Sequence, residues 1–127
     1  MKAALLVVDM QKAFFEMESC RPSLIAALEY ANATAELFRR SHRPVFMIQD
    51  SEAGNGPGSS GNKLYRGIVQ SRLDRRVMKD HSNAFWKTSL EKDLKASGSD
   101  FIVVSGFAAA GFVAEVVTAP CANSSIH

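Results

Sequence analysis

The chain has 127 residues, 46% hydrophobic and 22% charged, an ordinary balance for one globular domain with a single core. A formal net charge of +2 is too small to argue for nucleic acid or an anionic membrane surface, and no apolar run reaches the length of a membrane span. Cys20 and Cys121 are too few for a disulfide framework, and His42, His81 and His127 stand far apart with no zinc-ligand spacing, so neither a metal nor a cofactor is expected.

The chain opens "MKAALLVVDM". Asp9 and Lys12 interrupt the apolar run and no cleavage site follows, so it reads as the first strand of a cytoplasmic protein and not as a signal peptide. An unbroken run of Leu and Val suits a strand covered on both faces, as in a parallel sheet. In residues 21–42, Leu24, Leu28, Ala31, Ala35 and Phe38 recur at spacings of four and three, which predicts a helix with one apolar stripe. Pro22 suits its first turn and Arg39 and Arg40 its last. "RPVFMIQD" is a second apolar run, ending on Asp50, and strand, helix and strand together make a right-handed βαβ unit.

"SEAGNGPGSSGNK" follows, a loop dense in Gly and Ser, read either as a mobile surface loop or as a lid over substrate. "LYRGIVQSRLDRRVMK" carries mixed charge and receives no assignment. "SLEKDLKASG" predicts a short helix with Leu90 and Leu94 one turn apart and Gly98 closing it. "DFIVVSG" is the third clear strand, and "AAAGFVAEVV" reads as a helix beginning just after Gly106. The pattern predicts an α/β domain with at least three parallel strands, whose ligands bind beyond the carboxyl ends of those strands.

Asp9, Asp50 and the "SGFAAAG" turn all occupy such ends. A carboxylate between Val8 and Met10 is partly desolvated, which raises its pKa and suits it to proton transfer. Lys79, in "RRVMKDHSNAFWKT", is the candidate partner; it follows Val77 and Met78 and precedes Phe85 and Trp86. Beside Asp9 it would hold the acid ionised and polarise a substrate oxygen; the alternative is a solvated surface lysine.

Three stretches in order, "LLVVDMQKAFF", "VMKDHSNAFWKTSLEKDL" and "DFIVVSGFAAAGFV", resemble the signatures of the isochorismatase-like cysteine hydrolases. Asp9, Gln11, Phe14, Lys79, Phe85, Thr88 and Leu90 stand at matching positions, and the likeness runs from residue 3 to about 113. The resemblance implies a Rossmann-like three-layer sandwich with a mainly parallel sheet. It implies a hydrolase acting on a small amide or related C–N substrate, or on a vinyl ether in members that do without the cysteine. By the same resemblance Asp9 takes the proton of a thiol at a helix N-terminus, Lys79 helps hold the oxyanion region, and Phe14, Phe85, Gly106, Phe107, Ala108 and Ala109 surround the substrate. One peptide bond in the last motif is often cis in the family, which carried over is Phe107–Ala108 or Ala108–Ala109.

The chain departs from that pattern at two places. Phe112 stands where the nucleophilic Cys is expected, and neither Cys20 nor Cys121 can replace it. Both cysteines read as small apolar packing residues. Residues 114–127 leave the family pattern, so residues 1–127 read as a single domain truncated at the C-terminus. Asp50-Ser51-Glu52 lacks the His of the family's metal-dependent amidases, so no metal of that type is expected. An active hydrolase and an inactive family member serving as a small-molecule-binding or oligomeric scaffold are the two readings. Either one takes a small-molecule partner, and the apolar third strand is expected to favour a homo-oligomer. A nucleotide- or flavin-binding domain is disfavoured, because no glycine-rich phosphate motif opens a helix.

Overall fold

The strand expected at the start of the chain is β1, Ala3–Val8, and in the computed structural model, which describes residues 2–80 and 88–107, it lies inside a four-stranded sheet. The other elements are α1 (Lys12–Phe15), α2 (Arg21–Arg40), β2 (Val45–Asp50), β3 (Arg75–Lys79), α3 (Leu90–Ala96) and β4 (Phe101–Gly106). The strand order is β3-β2-β1-β4 and every pairing is parallel. Successive side chains of a strand point to opposite faces, so a strand between two helix layers must be apolar at every position. β1 meets this demand. Ala4, Leu6 and Val8 join Phe46, Ile48 and Val77 against Leu90 and Leu94 of α3. Leu5 and Val7 join Val45 and Met47 against Leu24, Ala31 and Ala35 of α2, with Leu28 and Phe38 packed at the margin. The predicted stripe of the long helix is the stripe that packs, and the result is a three-layer α/β sandwich. Among the described residues no helix is long and apolar enough to cross a membrane.

Two elements go beyond the sequence expectation. α1 is a single turn after β1, and β3 lies in the segment that carried no assignment. Among the described residues β3 is an edge strand with one neighbour, Arg75 and Arg76 are exposed, and Val77 alone supplies apolar burial among its branched and aliphatic positions. A strand of this kind has almost no hydrophobic signature. Gly98 adopts φ 73° just past α3, and Ser99 N–H reaches back to the Leu94 carbonyl at 3.1 Å, the expected glycine stop. The helix expected after Gly106, the candidate cis bonds, and residues 114–127 lie outside the described residues.

Strand order reverses at β1, since the chain moves from β1 to β2 on one side and later returns to β4 on the other. Such a switch point opens a crevice at the carboxyl ends of the two diverging strands. Two backbone features shape this end. Asp9 has φ 55°, a left-handed conformation that Asp tolerates better than most residues, and its N–H still continues the ladder to the Ile48 carbonyl at 2.9 Å. Gly106 has φ 116°, and a Cβ there would sit 2.3 Å from the Val8 carbonyl oxygen. Only glycine lets the turn after β4 lie directly on the end of β1. Gly106→Ala combines backbone strain with a steric clash and should lower folding stability by about 3 kcal/mol in urea denaturation. A loss below about 0.5 kcal/mol would mean that β1 and β4 can part at this point without penalty.

Candidate active site

Asp9 directly follows β1 and Lys79 ends β3, with β2 between the two strands. Lys79 shares the pleat of Val77, so its side chain enters the sandwich on the α3 side and is 5% exposed. Its Nζ lies 3.5 Å from Asp9 Oδ2. The other oxygen, Asp9 Oδ1, is buried and has no hydrogen-bond partner among the described residues. A buried acceptor without a donor is costly to a fold and is retained where chemistry uses it.

The Asp9 carboxyl is raised from 3.8 to about 6, and burial is the main cause. The Lys79 ammonium pulls it back down, and the Asp50 carboxylate adds to the rise. An acid near 6 is populated in both protonation states close to neutral pH, the condition that proton transfer in either direction requires. The linkage to stability follows. Between pH 3.8 and about 6 the folded chain keeps a proton that the unfolded chain has released. The contribution of Asp9 to stability is therefore present at low pH and is lost as pH rises through that interval.

A second set of side chains holds this end of the sheet together. The Gln11 amide spans to Asp50, donating from Nε2 to its carbonyl at 3.0 Å and accepting its N–H on Oε1 at 2.8 Å. Asn62 Nδ2 donates toward the carbonyls of Asp50, Ser51 and Ala53 at 3.0–3.1 Å. The Asn62 carbonyl accepts from Gln11 Nε2 at 2.8 Å and from Gln49 Nε2 at 3.1 Å. All of these amides are buried, so each bond replaces water that the site excludes. The loop at 51–63 is thus tied at its base and narrows where Gly54 and Gly61 touch, while Gly56 and Gly58 at its tip have open space around them. Neither the mobile-loop nor the lid reading describes its anchored base. Gln11 was visible in the sequence only as one position of a signature. Asn62 carried no signal beyond being a polar residue at the end of a glycine-rich run.

Of the other candidate residues, Phe14 and Phe107 meet with ring centroids 5.1 Å apart, and the Phe107 N–H binds the Val8 carbonyl at 2.9 Å. Gly106 supports that turn from beneath. Asp50 faces the site but caps its own loop, accepting from the Glu52 N–H at 2.9 Å. Ser51 donates to Asp80 at 2.5 Å. Phe85, Ala108, Ala109 and Phe112 lie outside the described residues. Among the described residues no three His, Cys, Asp or Glu side chains gather as a metal site would need.

The sequence model of the isochorismatase domain matches residues 3–119, nearly the whole chain. The chain belongs to the isochorismatase family. It is similar to the uncharacterized isochorismatase family protein YddQ of Bacillus subtilis (strain 168), with 26% identity over 148 aligned residues that span all of this chain and 81% of that protein. A crystal structure of an isochorismatase family protein superposes with TM-score 0.81 at 23% identity, over 98% of this chain and 75% of the other. N-carbamoylsarcosine amidase from Thermoplasma acidophilum superposes with TM-score 0.80 at 26% identity, over 99% of this chain and 80% of that one. The protein is accordingly an isochorismatase-family hydrolase by descent, with the parallel α/β sandwich of its relatives.

For this isochorismatase family member, a carboxyl-carbon NMR titration should place the Asp9 midpoint near 6, well above the usual carboxylate range. Removing the opposing cation with Lys79→Met should raise that midpoint, and Asp50→Asn should lower it. A wild-type midpoint near 4, unmoved by either substitution, would show that Asp9 is solvated and that the pair does not form.

Proposed function

We propose that this isochorismatase family member hydrolyses a small substrate at an amide or related C–N bond, or at a vinyl ether, with Asp9 moving the proton. The observation that carries the reading is the buried Asp9–Lys79 pair, at 3.5 Å, with Asp9 Oδ1 unpartnered among the described residues. Phe112 offers no nucleophile, so the attacking group on this reading is water. In the amide case ionised Asp9 accepts a proton from water as its oxygen adds to the carbonyl carbon. Negative charge grows on the carbonyl oxygen, where the Lys79 ammonium favours it. Asp9 then returns the proton to the nitrogen, the C–N bond breaks, and an acid and an amine leave. In the vinyl ether case protonated Asp9 donates to the alkene carbon, water adds to the resulting oxocarbenium carbon and returns a proton to Asp9, and the hemiketal collapses with cleavage of its C–O bond to a carbonyl compound and an alcohol. Phe14 and Phe107 supply an apolar wall, and by resemblance Phe85, Ala108 and Ala109 complete it.

A second reading is favoured by Phe112 itself: an inactive family member that binds a small molecule without turning it over. The two readings part in an assay of N-carbamoylsarcosine, nicotinamide and isochorismate across pH 5–8. Hydrolysis of one of them, with a kcat/KM limb near the Asp9 midpoint and a loss of about 100-fold in Asp9→Asn, supports the hydrolase. Binding of these compounds without any turnover supports the scaffold.

We also propose self-association. β4 is apolar from Phe101 to Val104 and stands at the end of the sheet among the described residues. Light scattering should give a mass above that of one chain, and a single-chain mass at high concentration would count against assembly.

A further inference from the structure

A concavity of about 440 Å³ lies away from Asp9 and Lys79, between α1, the start of α2 and the segment 60–66. Its apolar lining includes Phe15, Leu64 and Tyr65, and the Phe15 and Tyr65 rings are stacked at 3.8 Å and 5°. Its polar lining is one-sided. Lys12, Arg21, Lys63 and Arg66 face it against the single carboxylate of Glu16. Among the described residues the cations that form ion pairs are Arg39, Arg40, Lys79 and Lys95, so none of these four is neutralised. Ordinary solvated surfaces intersperse the two signs; a cluster of unpaired cations around an apolar hollow concentrates a positive field there.

The hollow is also held in shape before any ligand arrives. Lys12 N–H binds the Lys63 carbonyl at 2.9 Å and Tyr65 N–H binds the Met10 carbonyl at 2.8 Å, which joins two of its walls. Arg21 Nε binds the Phe15 carbonyl at 3.0 Å, which ties the third. Lys12 Nζ is oriented by Ser60 Oγ at 2.8 Å. Pre-formed walls reduce the ordering that binding would otherwise demand. The volume falls within the range of small-molecule pockets.

We infer that this hollow is a second binding site, for a small planar ring bearing one anionic group. The ring would lie against the Phe15, Leu64 and Tyr65 surface, and its carboxylate or phosphate would meet the unpaired cations. Neither half of such a ligand suffices alone, since the apolar lining offers little to a bare anion and the cations offer little to a neutral ring. α1 connects the site to the catalytic end, because adjacent residues serve both: Phe14 packs on Phe107, and Phe15 lines the hollow.

The test is calorimetric titration of the full chain with phenyl phosphate, inorganic phosphate and phenol. Phenyl phosphate should bind with Kd on the order of 1 mM, as expected for so small a ligand. Phosphate and phenol should each bind at least about fivefold more weakly. Lys63→Gln with Arg66→Gln, both at exposed positions, should weaken phenyl phosphate binding about tenfold. Lys92→Gln, an exposed cation on α3 across the sheet, should leave it unchanged. The inference is overturned if phenyl phosphate shows no binding at about ten times the expected Kd, if the Lys63 and Arg66 changes do not weaken it, or if Lys92→Gln weakens it as much as they do.

Discussion

A carboxylate and an ammonium buried together across the width of a strand set the terms for this protein. Asp9 and Lys79 belong to strands that are not neighbours, separated by β2, so their axes stand roughly 10 Å apart. Contact at 3.5 Å requires that β3 run two residues past the level of Val8, that the chain turn at Asp9, and that the long Lys79 side chain reach inward. Burying two charges is expensive, and losing one partner typically costs about 3–5 kcal/mol. Structure around the pair must therefore hold it firmly, and much of the local architecture acts to that end.

The Gln11 and Asn62 amides are the clearest instance. Gln11 grips both the N–H and the carbonyl of Asp50, which fastens the segment after Asp9 to the end of β2. Asp50 is in register with Lys79, and the Ser51 N–H binds the Lys79 carbonyl at 2.9 Å, which fastens β2 to β3. The two fastenings run in series from Asp9 to Lys79. Gly106 acts on the other side, where its missing side chain allows the β4 turn to rest on Val8. A crevice bounded in this way can stay partly dry, and dryness keeps the Asp9 proton affinity near neutral pH.

The family relation and the site geometry speak to different questions. Membership accounts for the sandwich, the strand order and the placement of an acid at the β1 terminus. It does not determine which bond is cleaved, and the resemblance itself expects a cysteine where the sequence has Phe112. The Asp9–Lys79 pair is buried and its acid is raised to about 6, and this is what supports the proposed water-based route. The cationic hollow beside Phe15 belongs to neither account, and its residues take no part in the catalytic end.

What the sequence determined by itself was the set of segments that bury their own apolar surface. β1, β2 and β4 showed as unbroken apolar runs, and α2 and α3 showed as stripes at helical spacing. Asp9 was legible as a strand-end acid because its neighbours on both sides are apolar. Tertiary structure alone decided the rest. β3 became a strand because β2 had an open edge to pair with, although its residues show almost no strand pattern. Lys79 became buried because β3 adopted the register that puts it on the pleat of Val77. Gln11 found Asp50 and Asn62 across separations of 39 and 51 residues. Local patterns record which face of a segment avoids water; they do not record which distant segment will lie beside it, because strand order arises from the packing of the whole sheet.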